Sequence, residues 1–310
     1  MHTEPPGFEP NGAAHHHPVA GFGEREVQAI ERSDAIDSIA APLQSWLNEG
    51  LRGPVGQKVK DFLNGTWFGH PLHPALTDIP IGTWTAATVF DLISLTTRKD
   101  LDREAEAAIA VGIAGATASA VTGLADWADT NRSQRRVGLI HAVMNSAALG
   151  LQIASFVNRR RGGSSGPALS AMGLAFAGAS AWLGGNLVYR QGTQVSRTAH
   201  HRYPTSFTPA IAEAELRPER PTRAEVDGAG VMLVKHDDRI YALDDTCGHA
   251  GCPLSNGSLQ GDAIVCACHG STYRLRDGEV VRGPAPFPQP CFDVRVQGGQ
   301  VEVRRRSSKV

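Results

Sequence analysis

The sequence predicts an α+β multidomain protein in which an N-terminal four-helix transmembrane bundle precedes an all-β domain. Four windows of about 20 residues between positions 75 and 188 carry little or no charge and are long enough to cross a bilayer as helices. After residue 206, short β-branched runs alternate with Gly, Asp and Asn turns, which is typical of strands. The mean hydropathy of −0.20 and the net charge of −1 suggest an ordinary soluble chain only because they average over these unlike parts.

The N-terminal region is predicted to hold two kinds of segment. Residues 1–34 are poor in large apolar side chains and are predicted to form a flexible tail without the apolar core of a signal peptide. Residues 35–65 are predicted to form amphipathic helices, which lie on a membrane surface or pack on the bundle. Their apolar positions recur at helical spacing: Ile36, Ile39, Leu43, Trp46, Leu47, Val59, Phe62 and Leu63.

Residues 66–190 are predicted to form the four-helix transmembrane domain. A soluble four-helix bundle is the alternative, but its helices usually carry a polar stripe, which these windows lack. Only the first window contains acidic groups near both ends, Asp78 and Asp91. No internal repeat of fixed period is apparent. The predicted spans are 75–96, 105–124, 137–157 and 168–188.

The C-terminal region begins with a polar linker at 191–206, and residues 207–306 are predicted to form the β domain, a normal size for one domain. Two segments of this domain each offer a cysteine and a histidine at close spacing. They are CGHAGCPL at 247–254 and CACHGSTY at 266–273. Two thiolates and two imidazoles could bind zinc tetrahedrally, or a [2Fe–2S] cluster with cysteines on one iron and histidines on the other. A structural zinc site has no use for the additional pair Cys252 and Cys268, nor for hydroxyls at Ser271 and Tyr273.

The pattern C-x-H-x-G-C-x-L followed by C-x-C-H-G-S-x-Y closely resembles that of the Rieske iron–sulfur proteins. The resemblance implies a [2Fe–2S] cofactor with Cys247 and Cys266 as ligands of the inner iron and His249 and His269 as ligands of the outer iron. Residues 283–286 (GPAP) resemble the proline loop that covers the cluster in this family.

Further positions of the motif carry over from the same resemblance. It implies a disulfide between Cys252 and Cys268, a hydrogen bond from Ser271 to a bridging sulfide, and another from Tyr273 to a ligand sulfur. These features resemble the cytochrome bc-type proteins more than the dioxygenase ferredoxins. They imply a potential in the upper part of the Rieske range of about −150 to +300 mV.

The membrane region carries a second resemblance, which starts at GHPLHPALTDIPIG, residues 69–82. It looks like the entry to a family of predicted four-helix bacterial membrane domains of uncertain function, and implies four spans but no activity. With four spans both ends of the region lie on one side, and polar side chains gather there. Ionisable groups in a membrane are costly, so a quinone or haem b site is one interpretation, and helix capping is the other. The candidate residues are His70, His73, Asp78, His141 and Asn145.

The function expected from these features is that of a membrane-anchored Rieske protein that carries single electrons to or from a redox partner protein, a membrane quinone or both. The alternatives are a quinol or quinone oxidoreductase subunit and a redox sensor. No mononuclear-iron triad follows the Rieske motif and no nucleotide or flavin fingerprint is present, which disfavours an oxygenase or a nucleotide-dependent enzyme. The balanced charge predicts no nucleic-acid partner, whereas the apolar windows predict contact with lipid.

The predicted location is a bacterial inner membrane, which the chain crosses four times. Nine Lys and Arg residues lie near the spans on the side of the β domain, against six on the other side. This bias favours a cytoplasmic β domain, although a disulfide is more usual in an oxidising compartment.

Overall fold

The computed structural model describes residues 23–97 and 99–306, and it confirms the predicted fold class. Helices occupy the N-terminal part of the described chain and antiparallel strands the C-terminal part. Residues 1–22 of the predicted tail lie outside the described residues.

From residue 23 onward, three helices precede the long ones: α1 (Glu24–Arg32), α2 (Asp34–Gly50) and α3 (Gly53–Leu63). The flexible tail predicted up to residue 34 is therefore wrong for the stretch that forms α1. Val27 is fully buried there against Val137 and Leu183, so the short helix is held by packing rather than by its own propensity. Ser33 then caps α2 by accepting a hydrogen bond from the backbone N–H of Ile36.

Four long helices follow, each long and apolar enough to cross a membrane. Helices α4 and α5 pack together as one antiparallel hairpin, and α6 and α7 pack together as another. The last helix continues through a π-helical turn, Asn186–Arg190. Their bounds are α4 (Leu72–Thr97), α5 (Asp102–Trp127), α6 (Arg132–Arg160) and α7 (Gly166–Gly185).

The surface of this bundle is apolar and its interior is partly polar. Leu92 and Leu95 are exposed, whereas Ser119, Gln152 and Ser180 are buried. A soluble bundle has the opposite arrangement, because water favours polar groups outside and apolar groups inside. The distribution therefore favours lipid as the surroundings of the bundle.

The two hairpins share a pattern of contacts, although no single period relates them: equivalent positions are 68 residues apart between α4 and α6 and 61 apart between α5 and α7. Trp84 of α4 lies against Gly112 of α5, and Gln152 of α6 lies against Gly173 of α7. Both pairs are equivalent in one sequence alignment of the hairpins, which has its gap between the helices and none inside a helix. Most residue identities differ between the two halves, which is why the repeat is hidden in the sequence.

The described part of the chain contains ten strands in three small antiparallel sheets, with orders β1-β10-β9, β2-β3-β4 and β5-β6-β7-β8. One apolar core contains Leu233, Phe292 and Val303, and the other contains Leu243, Ile264 and Tyr273, which lie beside the motif cysteines. The strands are β1 (Thr208–Ala212), β2 (Thr222–Val226), β3 (Ala229–His236), β4 (Arg239–Asp244), β5 (Ser258–Gln260), β6 (Ala263–Val265), β7 (Thr272–Arg274), β8 (Val280–Arg282), β9 (Phe292–Gln297) and β10 (Gln300–Arg305).

A buried ion pair joins the two hairpins at the end of the bundle far from the β domain. The guanidinium of Arg159 donates to the carboxylate of Asp91 at 2.6 Å, and their side chains are 3% and 11% exposed. This contact explains how an acidic group is accommodated near the end of the first span. We predict that Asp91→Ala lowers the free energy of unfolding by about 3–5 kcal/mol, because it leaves a buried guanidinium without its main partner.

The matched control is Glu106→Ala, which breaks the pair with the largely exposed Arg160. That change should cost less than about 1 kcal/mol. Reversible unfolding in mixed micelles measures both values, and equal losses in the two variants would contradict the prediction.

Candidate metal centre

Two loops of the same local shape carry the motif residues. One follows β4 and the other connects β6 to β7. In the first, the N–H of Gly251 donates to the carbonyl of Cys247 at 2.9 Å; in the second, the N–H of Gly270 donates to the carbonyl of Cys266 at 3.0 Å. Both glycines have a positive φ, of 83° and 76°, which other residues rarely adopt. The repeated turn aims a cysteine and a histidine from each loop at one place.

A disulfide between Cys252 and Cys268 connects the two loops, with the Cα atoms 6.5 Å apart. The side chain of Gln289 holds the first loop in place by hydrogen bonds to its backbone. Its amide N–H₂ donates to the carbonyls of Asp244 and Thr246, and its amide oxygen accepts from the N–H of Gly248 at 3.1 Å. No signal in the sequence marks Gln289 for this role, because a single buried glutamine belongs to no motif.

The Cys247 and Cys266 thiols face each other and are almost completely buried. A hydrogen bond from Cys247 lowers the pKa of Cys266 to about 6. The same hydrogen bond, together with burial, raises the pKa of Cys247. One of the two sulfurs is thus readily available as a thiolate, the form that binds metals.

The imidazoles of His249 and His269 lie next to the thiols, with their ring centroids 5.0 Å apart. Burial lowers the pKa of His249 to about 3 and also lowers that of His269, so both rings are neutral near pH 7. The Nδ1 atom of His249 is buried and has no hydrogen-bond partner among the described residues. A buried nitrogen without a partner, beside a second imidazole and two thiols, fits a donor set for a mixed Cys/His iron–sulfur cluster.

The hydroxyl groups of Tyr273 and Ser271 lie at the second motif loop. The Tyr273 hydroxyl is 3.4 Å from the Cys247 sulfur, and burial raises its pKa, so it remains protonated and able to donate. Ser271 is fully buried, and its oxygen accepts from the N–H of Ala285 at 3.1 Å. This contact also holds the 283–286 loop against the second motif loop.

The histidine side of the centre faces the end of the helical bundle. Lys60 of α3 forms an ion pair of 2.6 Å with Asp129, and both side chains are about nine-tenths buried. The charges of both groups act on the His269 imidazole. Burial raises the pKa of Asp129, against the opposing effect of the Lys60 ammonium. Lys60 was not singled out in the sequence, since one lysine on an amphipathic helix usually faces water.

The 283–286 loop also contacts the helices. The N–H of Gly283 donates to the Asp61 carboxylate at 2.9 Å, and a Cβ at this position would come within 2.9 Å of Thr66. The backbone of Arg197, in the 191–206 segment, donates to the carbonyl of Gly248 at 3.0 Å. The metal centre is thus held against the bundle by contacts on two sides.

The structure separates the five polar residues predicted for the membrane region. His73 and His141 come together, with ring centroids 6.3 Å apart, and Asn145 donates to His141 Nε2 at 3.0 Å. His70 instead packs against Phe287 of the β domain, and Asp78 is exposed on the outside of α4, away from the paired rings.

Comparison with known proteins identifies both regions of the chain. Residues 69–197 match the family described as "Predicted membrane protein (DUF2231)", and residues 206–293 match "Rieske [2Fe-2S] domain". Ferredoxin CarAc of Metapseudomonas resinovorans is 34% identical over 93 residues, which span 30% of this chain and 87% of the ferredoxin. The cytochrome b6-f complex iron-sulfur subunit of Chlorobaculum tepidum is 34% identical over 73 residues, 24% of this chain and 39% of that subunit.

Among solved structures, the ferredoxin of carbazole 1,9a-dioxygenase from Nocardioides aromaticivorans is 29% identical. It matches 33% of this chain and 99% of its own, with a TM-score of 0.31. The matched family carries a [2Fe–2S] cluster, so the cofactor of this protein is a [2Fe–2S] cluster and its chemistry is electron transfer. Through its C-terminal domain, the chain belongs to the Rieske [2Fe–2S] family.

Proposed function

We propose that this protein is a membrane-anchored electron carrier whose cluster is bound by Cys247 and Cys266 on one iron and by His249 and His269 on the other. The observation that carries the proposal is the buried Nδ1 of His249, which lacks a partner beside two thiols and a second neutral imidazole. Desolvating this nitrogen is costly unless something binds it.

The residues around the cluster adjust its chemistry. When bound, the cluster supplies a one-electron couple whose potential rises as neutral imidazoles replace thiolates and as hydrogen bonds reach its sulfurs. Tyr273 donates such a bond to Cys247 at 3.4 Å, and Ser271 is placed to donate to a bridging sulfide. The disulfide from Cys252 to Cys268 keeps the two loops together, and the 283–286 loop excludes water.

The redox partner is in or at the membrane. The histidine side of the cluster faces the Lys60–Asp129 ion pair instead of open water. The iron bound by the histidines is therefore the one nearer to the bundle, and electrons would enter or leave the cluster on that side. We place the β domain on the cytoplasmic face of a bacterial inner membrane, because positive residues are more numerous on that side of the spans.

A second candidate, quinol or quinone oxidoreduction, is favoured by buried polar atoms between the cluster and the bundle. Asp129 Oδ2, Gln194 Oε1 and both amide atoms of Asn64 have no hydrogen-bond partner among the described residues. Together with His249, they are groups that could bind the two oxygens of a quinone ring.

For the carrier, the reduced protein should show the rhombic EPR signal of a cluster with mixed Cys/His ligation. His249→Ala and His269→Ala should each abolish the signal, since each change removes one of the two protein ligands of the same iron. The exposed His200 provides a matched control, and His200→Ala should keep the signal. An unchanged spectrum in both ligand variants would refute the proposed ligand set.

Removing one hydroxyl should lower the reduction potential without loss of the cluster. Tyr273→Phe removes a hydrogen bond of about 0.5–1.5 kcal/mol, which for one electron corresponds to a decrease of about 20–65 mV. Tyr241→Phe is the control, because Tyr241 packs on the same core without a bond to either cysteine. Protein-film voltammetry measures both, and a shift as large in the control would exclude a specific effect of Tyr273.

The second candidate predicts saturable quinol oxidation by the purified protein with ferricyanide as terminal acceptor. Each quinol gives two electrons and two protons, and Asp129→Asn should slow the reaction at least about 100-fold if its carboxylate accepts a proton. Asp262→Asn, on the exposed side of the β domain, should have no effect. Turnover no faster than the uncatalysed reaction would leave the carrier as the function.

A further inference from the structure

The two hairpins of the bundle place two histidines at equivalent positions. His73 near the start of α4 and His141 in α6 are paired by the same sequence alignment that relates Trp84 to Gln152. Their ring centroids are 6.3 Å apart and the ring planes are nearly perpendicular, at 86°. The two imidazoles thus meet across the bundle from parallel helices, one from each half of the repeat.

Each ring is oriented by a backbone carbonyl of its own hairpin. His73 Nδ1 lies 2.8 Å from the carbonyl oxygen of Ser119 in α5, and His141 Nδ1 lies 2.8 Å from that of Ser180 in α7. A carbonyl only accepts, so Nδ1 carries the proton in both rings and Nε2 keeps its lone pair. This tautomer, fixed by a backbone carbonyl, is the usual state of a metal-binding histidine.

The surroundings of each ring are also repeated. A Cβ on Gly123 would come within 2.9 Å of His73 Cε1, and a Cβ on Gly184 would come within 3.1 Å of His141 Cε1. Each glycine lies one turn after the serine whose carbonyl orients the ring. The two halves therefore preserve the histidine, the carbonyl acceptor and the glycine, although most other paired positions have diverged.

We propose that His73 and His141 are the two axial ligands of a b-type haem inside the bundle. Two imidazoles on opposite sides of one metal, with bonds of about 2.0–2.1 Å, place their ring centroids about 6 Å apart. Among the described residues, no third His, Cys, Asp or Glu joins the two rings to form a group of metal ligands. A metal with only two protein ligands needs its remaining ligands from elsewhere, and a porphyrin supplies four nitrogens in one plane.

One existing contact must give way when the haem binds. Asn145 donates to His141 Nε2 at 3.0 Å, whereas His73 Nε2 has no hydrogen-bond partner among the described residues. The iron takes the lone pair that Asn145 now uses, and the asparagine amide turns aside by rotation about its side-chain bonds. Its present contact is further evidence that Nε2 of His141 is unprotonated.

The haem position connects the bundle to the cluster. Ser119, which orients His73, and Asp129, which acts on His269, are separated by about 15 Å along α5 and the turn that follows it. One electron from the reduced cluster converts ferric haem to ferrous haem, and no bond is made or broken. This transfer rests on the proposed function of the cluster, but haem binding does not.

The test is haem content of the full chain produced with a haem precursor, purified in detergent and titrated with hemin. We expect one haem per chain and, after reduction, a sharp α-band that carbon monoxide does not change, because both axial positions are occupied. His73→Ala and His141→Ala should each lose that six-coordinate spectrum. His70→Ala should retain it, since this ring packs on Phe287 instead.

The cluster EPR signal of each variant serves as the control for folding, and it should persist when haem is lost. If the purified protein binds haem but contains no cluster, the haem proposal stands and the carrier proposal is refuted. The proposal is overturned if no Soret band forms on hemin titration, if both histidine variants keep the wild-type spectrum, or if metal analysis finds a different metal bound by these histidines.

Discussion

The buried ion pair between Lys60 and Asp129 is the contact on which the arrangement of the two domains depends. It joins α3 to the turn after α5, and the charges of both groups act on the His269 imidazole. Removing one partner of such a pair strands the other charge at a cost of about 3–5 kcal/mol. The pair therefore fixes α3 on the bundle, and through the contact from Gly283 to Asp61 it also fixes the loop that covers the cluster.

The polar side chains inside the bundle bond to one another and so stabilise the contacts between its helices. Lipid allows an apolar outer surface, while polar groups inside must be paired with one another. Ser180 accordingly bonds to His141, and Gln152 bonds to Ser170. Each hairpin contains one set of such contacts. A redox group between the two hairpins would therefore be bound by equivalent residues on both of its faces.

How much the sequence predicted depends on how local each signal is. The cluster motif is contiguous, so Cys247 and His249 could be named from their spacing, and long uncharged windows could be identified as spans. Gln289, Lys60 and Asp61 could not be named, because each acts across a distance of tens of residues and none has a distinctive neighbour in the chain. Helix α1 was missed for the same reason, since Val27 is buried by residues of α6 and α7 rather than by its own segment.

The central claim is that two histidines bind one iron of the cluster at the face that meets the bundle. Pulsed EPR of the reduced protein, in detergent and with ¹⁵N-labelled histidine as comparison, tests it most directly. We expect couplings to two histidine nitrogens, which change with the label and are lost when either His249 or His269 is replaced by alanine. A signal without nitrogen couplings, as from a cluster bound by sulfur alone, would contradict it.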